Sequence, residues 1–104
     1  MQRKAFKMQL KPGFEVEYKK RHDAIWPELS KLLKDAGVSD YSIFLDPETL
    51  ALFGIQKLAP GNTADELSST AIMRRWWDYM KDLMDSNPDN SPVCKDLSEV
   101  FHMD

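Results

Sequence analysis

Residues 3–10 alternate, with Phe6, Met8 and Leu10 on one side and Lys7 and Gln9 on the other. That is the two-residue period of a strand. Pro12-Gly13 ends it. Residues 14–36 follow a helical period, with Ile25, Leu29, Leu32, Leu33 and Ala36 as its apolar stripe and Gly37 as the stop. Pro27 lies inside this run. It has no amide hydrogen and its ring crowds the carbonyl of Asp23, so a kink or restart is expected between Asp23 and Trp26. Residues 40–45 alternate again, Tyr41, Ile43 and Leu45 against Ser42 and Phe44. Asp46-Pro47-Glu48 makes a turn. Residues 49–57 form a third strand whose successive apolar residues, Leu50 to Ile55, predict burial on both faces.

Thr63-Ala64-Asp65-Glu66 matches a capping box, which starts a second helix near Thr63. Its stripe runs Met73, Trp76, Trp77, Met80, Leu83 and Met84. Asn87-Pro88-Asp89-Asn90-Ser91-Pro92 is loop. Residues 97–103 read as a last strand, with Val100 and His102 facing opposite to Phe101 and Met103.

The order is β-α-β-β-α-β, an α+β, ferredoxin-like arrangement with an antiparallel four-stranded sheet and each helix a crossover. Two helices cover one face of such a sheet. The third and fourth strands carry apolar residues on both faces, so the bare face calls for a second copy packed sheet to sheet. A half-solvated sheet lining a ligand cleft is the other arrangement.

Composition narrows the function. A chain of 104 residues suits one domain, residues 1–104, and 42% hydrophobic with 30% charged residues reads as a folded chain. The net charge of −3 offers no basic footprint for nucleic acid. No apolar run reaches the ~20 residues of a membrane span, and none near Met1 reads as a secretory signal. Cys94 is the one cysteine, which points to a reducing compartment and a cytoplasmic address.

Tyr18, His22 and Trp26 follow each other at four-residue spacing, on the core side of the first helix. His22 titrates near neutrality and is the leading acid/base candidate. A core histidine bonded to a backbone carbonyl is the alternative. Tyr41 reads equally as a core tyrosine or a ligand contact. Adjacent Trp76 and Trp77 diverge by ~100° on a helix, so one packs inward while the other lines a cleft edge. No phosphate-binding glycine loop, metal-ligand spacing or nucleophile elbow is present. What remains is a neutral aromatic pocket with one imidazole and two phenols. Such a pocket suits a sugar, and the methyl group of a 6-deoxy sugar in particular.

Five segments resemble the L-rhamnose mutarotase family: Arg3-Lys4-Ala5-Phe6; Glu17-Tyr18 through Arg21-His22 to Ile25-Trp26-Pro27-Glu28-Leu29; Tyr41 through Leu45-Asp46; Arg75-Trp76-Trp77-Asp78-Tyr79-Met80; and Asn87 to Pro92. The resemblance implies a cytoplasmic, cofactor-free homodimer of ferredoxin-like subunits. It implies interconversion of the α and β anomers of L-rhamnopyranose, with His22 as proton donor and Tyr18, Tyr41, Trp76 and Trp77 binding substrate. Three other readings stand beside it. One is a mutarotase for another neutral sugar such as L-fucose. Another is a cofactor-free monooxygenase or haem-handling protein, with His22 or His102 as ligand. The last is a non-catalytic dimeric module.

Overall fold

The computed structural model describes residues 2–104. Four strands, β1 (Gln2–Gln9), β2 (Val38–Leu45), β3 (Ala51–Leu58) and β4 (Lys95–Leu97), form one sheet in the order β2-β3-β1-β4. Every neighbouring pair is antiparallel. Two crossovers connect them, one through α1 (Glu15–Asp23) and α2 (Pro27–Asp35), the other through α3 (Ala71–Met80). The β-α-β-β-α-β order and the antiparallel sheet read from the sequence are both present.

Pro27 does more than kink the first helix. Trp26 adopts an extended conformation (φ −61°, ψ 129°), as the residue before a proline is driven to do. Pro27 then opens α2 as its first residue, where a missing amide costs nothing. The helix expected over 14–36 is therefore two helices, and α1 turns independently of α2.

Two further expectations are corrected. Thr63 makes no capping bond with its side chain. Its carbonyl instead accepts from Glu66 N–H at 3.0 Å, an i→i+3 bond, and Ala64–Ser69 is a 3₁₀ helix. The α-helix begins one segment later, at Ala71, where the Thr70 side chain accepts from Met73 N–H. The last strand is Lys95–Leu97, and residues 98–104 lack regular structure. Arg3 still reaches Glu99 through two hydrogen bonds of 2.8 and 3.1 Å. Val100, Phe101 and Met103 stay exposed, because alternation holds a strand only where one face has something to pack on.

The helices lie on the face carrying Phe6, Met8, Leu52 and Leu58, all buried. Phe6 pairs with Gly54, and its ring lies so close to that backbone that any Cβ would collide with it. The opposite face is bare: Phe44 (59% exposed), Ile55 (41%) and Leu97 (38%) face outward there. The third strand is thus covered on one face only within a single chain, as expected where two helices cover one face of the sheet. Leu83 and Met84 are buried as the stripe required, although α3 ends at Met80.

A bulge in β2 aims the site. Ser39 pairs with Lys57 and Ser42 with Ile55, so Asp40 and Tyr41 together oppose Gln56. Asp40 takes a φ of +47°, a region aspartate tolerates better than most residues. One extra residue reverses the alternation. Val38 before it and Tyr41 and Ile43 after it can then all face the helices.

Arg21 ties α1 down. Its guanidinium donates to Glu17 (2.7 Å), to the Tyr79 carbonyl (2.6 Å) and to Asp82 (3.1 Å), and it lies 4.4 Å from the Tyr79 ring centroid. The side chain is 14% exposed. The hydrogen bond to Asp82 is the main reason that its pKa is raised, while Asp82 is held below the usual carboxylate range. Arg21→Met should destabilise the fold by about 1–2 kcal/mol, since the carboxylate ends of the network are partly solvated. Thermal melts check this, and an unchanged midpoint would show that the network holds nothing.

Candidate active site

Tyr18 and His22 stand one turn apart on α1, their ring centroids 4.4 Å apart. Tyr18 is 8% exposed and His22 half-buried. His22 Nδ1 lies 3.0 Å from the Tyr18 carbonyl oxygen. A carbonyl only accepts, so Nδ1 carries the proton and the neutral imidazole keeps its lone pair on Nε2. Burial pushes the His22 pKa below its ordinary value, against the smaller opposing effect of that hydrogen bond. At neutral pH the ring is a base at Nε2. One nitrogen is bonded to a backbone carbonyl, as expected of a core histidine, and the other has no protein partner among the described residues.

Across from α1, the sheet presents Tyr41 and Gln56. The Tyr41 ring packs edge-on against Phe6, with centroids 6.2 Å apart. Burial of its hydroxyl pushes the Tyr41 pKa up to about 12, only partly offset by a hydrogen bond from Gln56. The residue as a whole is 39% exposed, so the side chain is partly open to solvent. Burial raises the Tyr18 pKa further still. Both phenols therefore stay protonated near neutrality and act as neutral donors.

Helix α3 supplies the third wall through Trp76 and Trp77. Trp76 meets the His22 ring edge-on (5.4 Å, 89°) and Trp26 in the same manner (5.1 Å, 87°). Trp26 stacks on Tyr79 (5.6 Å, 29°). These contacts fix the orientation of Trp76 from behind.

The three walls border a half-open cavity of about 260 Å³. That is room for about nine waters, the bulk of one monosaccharide. Tyr18, His22, Tyr41, Trp76 and Trp77 all line it, so the structure gathers all five predicted site residues. Trp26 does not, because the helix break before Pro27 takes it off the α1 stripe and places it behind Trp76. His102 lies apart in the C-terminal segment, 2.8 Å from Asp104. An open groove of about 1240 Å³ between α1 and β2 meets the cavity at Tyr18, His22 and Tyr41.

No fully buried side-chain nitrogen or oxygen lacks a partner among the described residues. Among the described residues the Tyr18 hydroxyl and His22 Nε2 make no hydrogen bond, so each keeps accessible surface. Unpaired polar atoms converging on a largely apolar cavity mark a ligand site. They can exchange a proton with, and bond, a small neutral polyhydroxylated molecule. Among the described residues no three His, Cys, Asp or Glu side chains gather to hold a metal ion.

Gln56 and Asn90 are among the polar lining residues that escaped the sequence reading. Gln56 is 9% exposed, and its signal was available: alternation with Leu52, Gly54 and Leu58 places an amide on the inward face. Asn90, from the 87–92 loop, reaches the cavity wall while its amide donates to Asp78 at 2.8 Å. Nothing in the sequence distinguished it from the other turn residues.

Comparison with known proteins bears on this geometry. Residues 3–103 match the family model described as L-rhamnose mutarotase. A protein of that name from Bacteroides thetaiotaomicron is 60% identical over the whole of both chains. Another, from Flavobacterium johnsoniae, is 59% identical over 98% of this chain and 95% of its own. The crystal structure of an L-rhamnose mutarotase from Formosa agariphila superposes with a TM-score of 0.94 at 52% identity, covering both chains fully. By sequence and by structure, the chain belongs to the L-rhamnose mutarotase family.

Proposed function

We propose that this protein interconverts the α and β anomers of L-rhamnopyranose, with His22 moving the proton and Tyr18, Tyr41, Trp76 and Trp77 holding the sugar. The observation that carries the reading is the His22 ring, tied at Nδ1 to the Tyr18 carbonyl and free at Nε2 beside a monosaccharide-sized cavity.

The reaction begins from neutral His22. Nε2 accepts the proton of the anomeric hydroxyl, the C1–O1 bond gains double-bond character, and the C1–O5 bond breaks. The ring oxygen receives a proton from the imidazolium. Both oxygens are bonded to C1, so one nitrogen can serve both. The open-chain aldehyde rotates about C1–C2, and closure on its other face returns each proton by the reverse steps. His22 is thus base and donor in turn. The phenols of Tyr18 and Tyr41 remain protonated and donate to sugar oxygens. The indole faces pack on the C–H faces of the ring, and the apolar walls receive the 6-methyl group.

The working unit is a single domain paired with a second copy through the bare sheet face, where Phe44, Ile55 and Leu97 face outward. Exposed patches of this kind mark association surfaces. The lone free thiol, Cys94, supports a cytoplasmic address. No helix among the described residues is long and apolar enough to cross a membrane.

His22→Ala should lower the anomer-exchange rate, measured by NMR saturation transfer, by about 10²–10⁴-fold while the fold persists. Unchanged exchange would remove His22 from the reaction. The enzymatic kcat/KM should stay level from pH 8 downward and fall only below the His22 pKa, which lies under the ordinary ~6.5. A loss of rate as pH rises through 7 would instead require a protonated His22 at the start. Phe44→Glu with Ile55→Glu should shift the species seen by sedimentation from dimer to monomer. A monomeric wild type would refute the second copy.

A further inference from the structure

The cavity has a floor of which the roles above use only Tyr41. Each strand contributes one polar side chain to it: Tyr41 from β2, Gln56 from β3, Lys4 from β1 and Asp96 from β4. The register puts them on one face. Lys4 pairs directly with Gln56, and Asp96 pairs with Phe6, two residues along from Lys4. Phe6 is buried beneath the helices, so Lys4 and Asp96 share its inward face.

Two other cations of the sheet have partners. Arg3 bonds Glu99, and Lys57 meets Asp40 at 3.3 Å. Lys4 and Asp96 form no ion pair among the described residues, although Lys4 is half-buried. A solvated lysine at a strand end would explain this if Lys4 pointed outward. It lines the cavity instead, on the inward face beside the buried amide of Gln56.

We propose that Lys4 is a specificity-determining residue whose ammonium donates a hydrogen bond to a ring hydroxyl of the sugar remote from C1, within a floor that Gln56 and Asp96 complete. This rests on the function proposed above and deepens it. The chemistry of the row matches a pyranose edge. An ammonium only donates, a carboxylate only accepts, and an amide does both, while each sugar hydroxyl can do either. The aromatic walls recognise the apolar faces and the methyl group, which many deoxy sugars share. The polar floor reads the hydroxyl pattern that separates them. A site built to bond a particular hydroxyl rejects the analogue lacking it far more strongly than an apolar pocket can.

The test measures anomer exchange by NMR for L-rhamnose and its 2-, 3- and 4-deoxy analogues, with the wild type and with Lys4→Met, which keeps the stem and loses the donor. Lys4→Met should raise KM for L-rhamnose about 10- to 100-fold, with kcat little changed. The wild type should discriminate against one deoxy analogue, and Lys4→Met should lose discrimination at that hydroxyl alone. Lys4→Arg, which restores a charged donor, should recover part of the affinity. It also serves as the second variant if Lys4→Met folds poorly by circular dichroism. An active Lys4→Met enzyme with unchanged KM, or one weakened equally toward all four sugars, would overturn this inference and leave the mutarotase reading intact. A wild type that exchanges no anomers would overturn both.

Discussion

Pro27 has no amide hydrogen, and the site depends on that absence. A continuous helix from residue 14 to 36 would lie along the sheet and fill the space above it with side chains. The proline instead drives Trp26 into an extended conformation and restarts the helix with α2, which packs on β2. Freed from that line, α1 is held by the Arg21 network to the end of α3. Tyr18 and His22 then hang over a gap, and the gap is the cavity. The residue just before the break, Trp26, is turned to brace Trp76 from behind.

The cavity balances two opposing requirements. Its aromatic and aliphatic walls offer a polar group few partners. Its polar atoms, left unpaired in a dry space, would each cost about 1–3 kcal/mol. The structure meets this by leaving the Tyr18 hydroxyl and His22 Nε2 accessible, where a ligand's hydroxyls can satisfy them. The Tyr18 carbonyl adds a second constraint. By accepting from Nδ1 it selects the tautomer, and burial selects the neutral state. One backbone oxygen therefore decides which nitrogen is available and what it can do. This fits a reaction that needs one proton moved a short distance between two oxygens on the same carbon.

Much of this was legible in the residues. Alternation in β1 and β2, the apolar run of β3 and the stripe through Met73, Trp76 and Met80 placed the main elements in order. The four-residue step from Tyr18 to His22 survived because both lie before the break. Trp26 was misjudged because helical spacing was carried across a proline. The late start of α3 was hidden for a similar reason. Thr63 and Glu66 have the identities of a capping box, but an i→i+3 backbone bond between them is equally local and won. The β4 tail failed differently: Val100, Phe101 and Met103 alternate well, and nothing within one chain covers them. The Asp40 bulge left no mark that a single residue could show, because it is a property of the pairing with β3. The roles of Trp76 and Trp77 came from family resemblance, since their spacing alone favoured a packing role.

The central claim is that His22 waits as a neutral imidazole, protonated at Nδ1 and open at Nε2. ¹⁵N NMR of the imidazole ring across a pH titration tests it without any assay of activity. The account predicts a protonated Nδ1 and an unprotonated Nε2 at neutral pH, with the ring gaining its second proton only below the ordinary histidine value. A proton on Nε2 in the neutral ring, or a ring doubly protonated at pH 7, would contradict it.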